Sequence, residues 1–144
     1  IGGLRGFLPG LEAAAPGDVV NVVAVAGVVA LPPPGPYSAS KHAQLAFSRA
    51  TAAQLRPRGI NVHTVKPGFV ATEGFPQKWL PQGVQRFVVG PARIAEHIVA
   101  SVEHGRGETS VPRYYGIGGI AEGLMPNVVA RLLSRAPKQS RIPR

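Results

Sequence analysis

The chain has 144 residues, 44% hydrophobic and 16% charged, enough for one ordinary domain with its own core. Its 18 glycines and 15 prolines follow no collagen period, and no apolar run is long enough for a spanning helix. The absence of cysteine excludes disulfides, thiolate metal sites and a cysteine nucleophile, and fits a cytoplasmic protein.

Residues 2–14 read as a short helical segment interrupted near Pro9, with Leu4, Phe7, Leu8 and Leu11 on its apolar side. Positions 19–30 (VVNVVAVAGVVA) hold seven valines and three alanines. A run without alternation predicts a strand buried on both faces of a parallel sheet. A Gly-Pro loop at 31–36 precedes a helix over 37–56, which carries small residues at Ala39, Ala43, Ala46, Ala50 and Ala53 and ends at Pro57 and Gly59. Residues 60–65 (INVHTV) alternate and are β-branched, the pattern of a second strand. A turn-rich loop covers 66–76, and a short helix is expected over 77–86. Pro91 opens a clearer helix that Gly105 closes, residues 108–111 form a third strand, and 114–134 are helical in two pieces broken at Pro126. The alternation argues for α/β layers around a mostly parallel sheet. Three strands leave two open edges, so the chain is expected to be marginal unless further strands or a second copy cover them.

Charge is uneven. Residues 1–112 carry a net +4 and residues 113–144 a net +5, with five cations and no acid in the last fourteen. Such an end can attract nucleic acid or an anionic membrane, or act as a solvated tail over 135–144. No nucleic-acid-binding motif accompanies it, so no nucleic-acid partner is expected. The apolar positions Ile117, Ile120, Ala121, Leu124, Val128, Val129, Leu132 and Leu133, beside arginines, make 113–144 a candidate for contact with a membrane surface.

The spacing that carries chemistry is Tyr37 and Lys41, four residues apart at the head of a helix and so on one face. An unperturbed phenol titrates near 10, too high to exchange protons readily at neutral pH; a nearby ammonium favours the phenolate. A tyrosine tuned in this way can give a proton to a carbonyl oxygen or take one from an alcohol.

Three segments in order, N21-V-V-A-V-A-G27, Y37-S-A-S-K41 and P67-G-F-V-A-T72, resemble the short-chain dehydrogenase/reductase family, whose pattern runs N-[hydrophobic]-S-S-x-x-G, Y-[SA]-A-S-K and P-G-x-x-x-T. The resemblance runs from the first residues to at least Pro112 and implies the C-terminal part of a doubly wound, Rossmann-like parallel sheet, with about three strands and flanking helices over 1–134. It implies Tyr37 as catalytic acid/base and Lys41 as its electrostatic partner on the nicotinamide ribose. Pro67, Gly68, Val70 and Thr72 would line the nicotinamide of NAD or NADP, and Phe75 and Trp79 would lie in a lid over a small alcohol or ketone substrate. Lys66, just before Pro67, is expected to be a solvated lysine at the strand end.

Two departures stand out. Ala24 occupies the family's catalytic serine position, with Val23 before it, and Ser38 and Ser40 follow the tyrosine and cannot replace it. No glycine-rich fingerprint follows a strand; Gly116, Gly118 and Gly119 come late and lack its spacing. Since the chain opens at Ile1 and its one methionine is Met125, it is expected to be part of a longer or shortened reading frame. His42, His63, His97 and His104 show no metal-ligand spacing, so no metal is expected, and the G-x-S-x-G of serine hydrolases is absent. The leading expectation is a partial NAD(P)-dependent oxidoreductase with little or no turnover alone. The alternative is a non-catalytic assembly module that pairs through helix 37–56 in a homo-oligomer.

Overall fold

The computed structural model describes residues 2–30, 35–73 and 85–135. Their elements are α1 (Gly2–Ala13), β1 (Gly17–Val22), α2 (Gly35–Leu55), β2 (Ile60–Pro67), α3 (Pro91–Glu103), β3 (Glu108–Val111), α4 (Tyr115–Leu124) and α5 (Pro126–Ser134). Short 3-10 turns follow β1 at Val25–Gly27 and α2 at Arg56–Arg58. The strands form one parallel sheet in the order β1-β2-β3, with Val20 opposite His63 and Lys66 opposite Ser110. This is the α/β architecture expected from the alternation of elements.

Helices cover both faces. Leu8 and Leu11 of α1 pack with Ala52 and Leu55 of α2 on Val19, Ile60 and Val62. On the other face, Ile94 and Ile98 of α3 pack on Val20, Val65, Val89 and Val111. Arg58 forms an ion pair with Glu12, tying the end of α2 to α1.

The valine-rich run departs from expectation. Its strand covers only Gly17–Val22, and the chain then turns through Val25–Gly27 instead of continuing to Ala30. Gly27 explains the turn: a Cβ there would stand 2.7 Å from the Lys41 carbonyl oxygen, so this position lies directly on the backbone of α2. The strand buried on both faces is instead β2, the segment that alternates in sequence, because β2 occupies the middle of the sheet. Helix α1 runs through Pro9 without interruption, where the proline falls on an exposed side near solvent. Helix α2 begins at Gly35 and contains Pro36 in its first turn, where a missing N–H costs nothing. The break between α4 and α5 falls at Pro126, as the sequence indicates. Residues 77–84 of the expected short helix lie outside the described residues, as do most of the loop at 31–36 and the tail from 136.

Buried polar side chains knit the layers. Asn21 Nδ2 donates to Ser48 Oγ at 2.8 Å, and Ser48 and Thr64 hydroxyls meet at 2.7 Å, linking β1, α2 and β2. His63, 1% exposed, faces Asp18 Oδ1 at 2.7 Å and the Arg106 carbonyl at 2.8 Å. Both ring nitrogens thus lie within hydrogen-bond distance of an oxygen, one on β1 and one after α3. The Asp18 carboxyl is held below its usual range, chiefly by its hydrogen bond to His63.

Candidate active site at the C-terminal end of the sheet

In parallel α/β sheets, ligands are bound beyond the carboxyl ends of the strands. The residues singled out from sequence belong to segments that begin or end on that side: Ala24 just after β1, Tyr37 and Lys41 at the start of α2, and Pro67 to Thr72 at and beyond the end of β2. Tyr37 is 46% exposed, so its ring is not sealed in the core. Lys41 Nζ lies 5.8 Å from the centre of the Tyr37 ring, which puts the two side chains on one side of α2.

Lys41 is held from behind. Its Nζ donates to Gln44 Oε1 at 2.9 Å, and Gln44 Nε2 donates to the Val22 carbonyl at 3.1 Å. Gln44 thus fixes the ammonium to the last residue of β1 and uses one of its three protons. Ser40 Oγ donates to the Tyr37 carbonyl at 2.8 Å, and the His42 ring nitrogen Nδ1 to that of Ser38 at 2.8 Å, so both are spent on the helix backbone. Ser38 is buried. Ala24 sits half-buried in extended backbone and contributes only a carbonyl, which accepts from Gly27 N at 3.0 Å. No hydroxyl stands at this position.

Beyond β2 the chain bends at Phe69 and is then bridged at Val70. Gly68 N donates to the Val111 carbonyl at 2.8 Å, Val89 N to the Phe69 carbonyl at 2.9 Å, and Ala71 N to the Val89 carbonyl at 2.9 Å; Val70 and Val89 form a parallel bridge. A Cβ on Gly68 would fall 2.3 Å from the Tyr115 ring, so only glycine lets α4 approach this strand end. Burial pushes the Tyr115 phenol up to about 12, and its hydroxyl has no hydrogen-bond partner among the described residues. Thr72 is exposed. Phe75 and Trp79 lie outside the described residues.

Sequence reasoning missed Gln44 and Tyr115. A glutamine one turn after the lysine is a legible signal. Nothing local in the sequence pairs Tyr115 with Gly68, forty-seven positions earlier.

Lys66 is corrected outright. It is 7% exposed and points under α2, where its Nζ meets Glu108 Oε1 at 2.5 Å. Arg49 grips the same carboxylate with two bonds of 2.8 Å. Glu108 is lowered to about 2: its hydrogen bonds to Arg49 lower it most, burial opposes them, and Lys66 lowers it further. Lys66 reached the interior because β2 is the central strand and Glu108, two residues before its register partner Ser110 on β3, could take its charge. The triad forms the floor of a separate cleft of about 730 Å³ between α2, β3 and α4, which neither Tyr37 nor Lys41 lines. Among the described residues no group of histidines and carboxylates could hold a metal ion. None of the described helices is long and apolar enough to cross a membrane.

The family model for short chain dehydrogenases matches residues 1–82, more than half of the sequence. The chain belongs to the short chain dehydrogenase family. Dehydrogenase/reductase SDR family member 4 of Rattus norvegicus is 39% identical over 69 residues, covering 48% of this chain and 25% of that protein. The 3-alpha-(or 20-beta)-hydroxysteroid dehydrogenase of Mycobacterium tuberculosis H37Rv is 24% identical over 129 residues, covering 87% of this chain and 49% of its own length. A short chain dehydrogenase from Burkholderia cenocepacia J2315, solved in complex with NADP, superposes with a TM-score of 0.74 at 25% identity, covering 93% of this chain and 53% of that one. The chain thus spans at most about half the length of these relatives.

Proposed function

We propose that this short chain dehydrogenase chain carries the proton-transfer and nicotinamide-facing part of an NAD(P)-dependent oxidoreductase acting on a small alcohol/carbonyl pair. The observation that carries the reading is Lys41 Nζ, anchored through Gln44 to the end of β1 and 5.8 Å from the Tyr37 ring, at the sheet end where ligands bind. Tyr37 Oη would give its proton to the carbonyl oxygen during reduction and take it back from the alcohol during oxidation. Lys41 steadies the negative charge that forms on that oxygen, and its two remaining protons suit the vicinal hydroxyls of a ribose.

The residues present fit the nicotinamide end of the cofactor in their donor set: an ammonium with protons to spare, the backbone after Pro67 and Gly68, Val70 as an apolar wall, and the exposed Thr72 hydroxyl. When bound, the dinucleotide would supply or accept the hydride. The Burkholderia relative's complex with NADP supports this choice of cofactor. The pyrophosphate end finds no glycine-rich turn in the sequence: Gly116, Gly118 and Gly119 belong to α4, two of them set against Val28 and Val29. Under this reading the 144 residues alone bind cofactor weakly and turn over slowly, in the cytoplasm.

Ala24 deepens the impairment, because losing one preorganised donor to a developing oxyanion costs on the order of a hundred- to a thousandfold. The test is carbonyl reduction with NADH and NADPH by the longest polypeptide the reading frame encodes. Ala24→Ser is expected to raise the rate by about a hundredfold, and Tyr37→Phe to abolish it without changing thermal stability. Failure of both dinucleotides to bind that polypeptide overturns the reading.

A second reading has one observation of its own. Ala39, Ala43, Ala46, Ala50 and Ala53 are all exposed along α2, the longest of the described helices. Such a strip admits close approach of a like helix, so α2 would pair two copies into a homo-oligomer. Ala46→Arg should then turn a dimer into a monomer in sedimentation; an unchanged mass would dismiss it.

A further inference from the structure

Helix α4 is turned inside out. Its core-facing side is glycine: a Cβ on Gly119 would stand 2.8 Å from Val28, one on Gly118 would stand 3.3 Å from Val29, and one on Gly116 would stand 3.6 Å from the Ser110 hydroxyl. Its large apolar side chains face outward instead, with Ile117 67%, Ile120 64% and Leu124 76% exposed. The strip continues through Met125 into α5, where Val128 and Leu132 are exposed, and neither helix has a single buried residue. A helix on a globular protein normally directs its apolar stripe inward. Here a contiguous apolar surface is raised to solvent, the mark of an interaction site.

The charges beside it select the partner. Arg113 precedes α4, Arg131 lies on α5 and Arg135 follows it, with Lys138, Arg141 and Arg144 further along the sequence. The one acid of this region, Glu122, is already engaged: its two oxygens accept from Ala30 N at 2.9 and 3.1 Å. The charges around this strip are therefore predominantly cationic. At 10 and 9 residues the two helices are far too short to cross a bilayer, and suited to lying in its headgroup layer. Helix α4 packs against β3 and against Val28 and Val29 in the segment after β1.

We propose that α4 and α5 form a docking face for an anionic lipid surface. The isoleucines, leucines and Met125 enter the headgroup boundary while the arginines meet lipid phosphates. This does not depend on the enzymatic reading, since the face shares no residue with Tyr37, Lys41 or the strand end.

The test is flotation of the 144-residue chain with vesicles of phosphatidylcholine alone and of phosphatidylcholine with one third phosphatidylglycerol. Flotation is expected with the anionic vesicles, weaker in high salt and slight with phosphatidylcholine alone. Ile120→Gln with Leu124→Gln should abolish it; both side chains are exposed, so far-UV circular dichroism should stay unchanged. Arg131→Gln and Arg135→Gln should each weaken binding about fivefold. Equal flotation of the Ile120→Gln/Leu124→Gln variant and the unmodified chain, or no flotation with anionic vesicles, overturns the proposal. A dimer that this variant splits, with no lipid binding, assigns the face to a second copy and overturns it as well.

Discussion

Strands β1 and β2 invert what their compositions suggest. β1 and the turn after it come from the most valine-rich stretch of the chain, yet β1 has no buried residue and Val22 is 44% exposed. β2 holds His63, Thr64 and Lys66, and all three are buried. Position in the sheet decides: the central strand is covered on both faces and both edges, so its polar side chains are forced to find partners, and they do in Asp18, Ser48 and Glu108. The edge strand is under no such compulsion.

The sharpest way to break the comparison is to remove a partner from the central strand. Glu108→Ala strands the Lys66 ammonium beneath α2 and should cost roughly 3 kcal/mol, read as a drop in urea midpoint. Val65→Thr, at a fully buried site, should cost about 1–3 kcal/mol for an unpaired hydroxyl. Acid should act on the same strand. A depressed carboxylate stabilises the fold above its unfolded value and loses that contribution as pH falls through its folded one. Glu108 therefore contributes fully above about 4.5 and fades toward about 2. After discounting for its partial exposure this is on the order of 1–2 kcal/mol, visible as a falling melting temperature over that window and absent from Glu108→Gln. The smallest effect belongs to the edge: Val22→Thr should stay within about 0.5 kcal/mol. Equal costs for the Val22 and Val65 substitutions would dissolve the contrast.

Much of the fold was legible because its signals are local. Pro91 with Gly105 bounds α3 to within two residues, Pro126 separates α4 from α5, and alternating elements imply the parallel sheet. What escaped was set by distant contacts. The valine run reads as one strand, and only the closeness of Gly27 to the Lys41 carbonyl turns the chain after Val22. Lys66 reads as solvated because its carboxylate partner lies forty-two residues on. The Tyr37–Lys41 spacing was plain in the sequence, but the Gln44 tether to Val22 needed the strand end and the helix face together.

The parallel bridge between Val70 and Val89 has a consequence for how this protein could vary. It works as a clasp: the chain departs beyond Ala71 and comes home at Val89 with both ends already stitched by the hydrogen bonds of Phe69 and Ala71. A change at either valine is therefore expected to loosen the strand end after β2 and the lead-in to α3 together, since one bridge holds both.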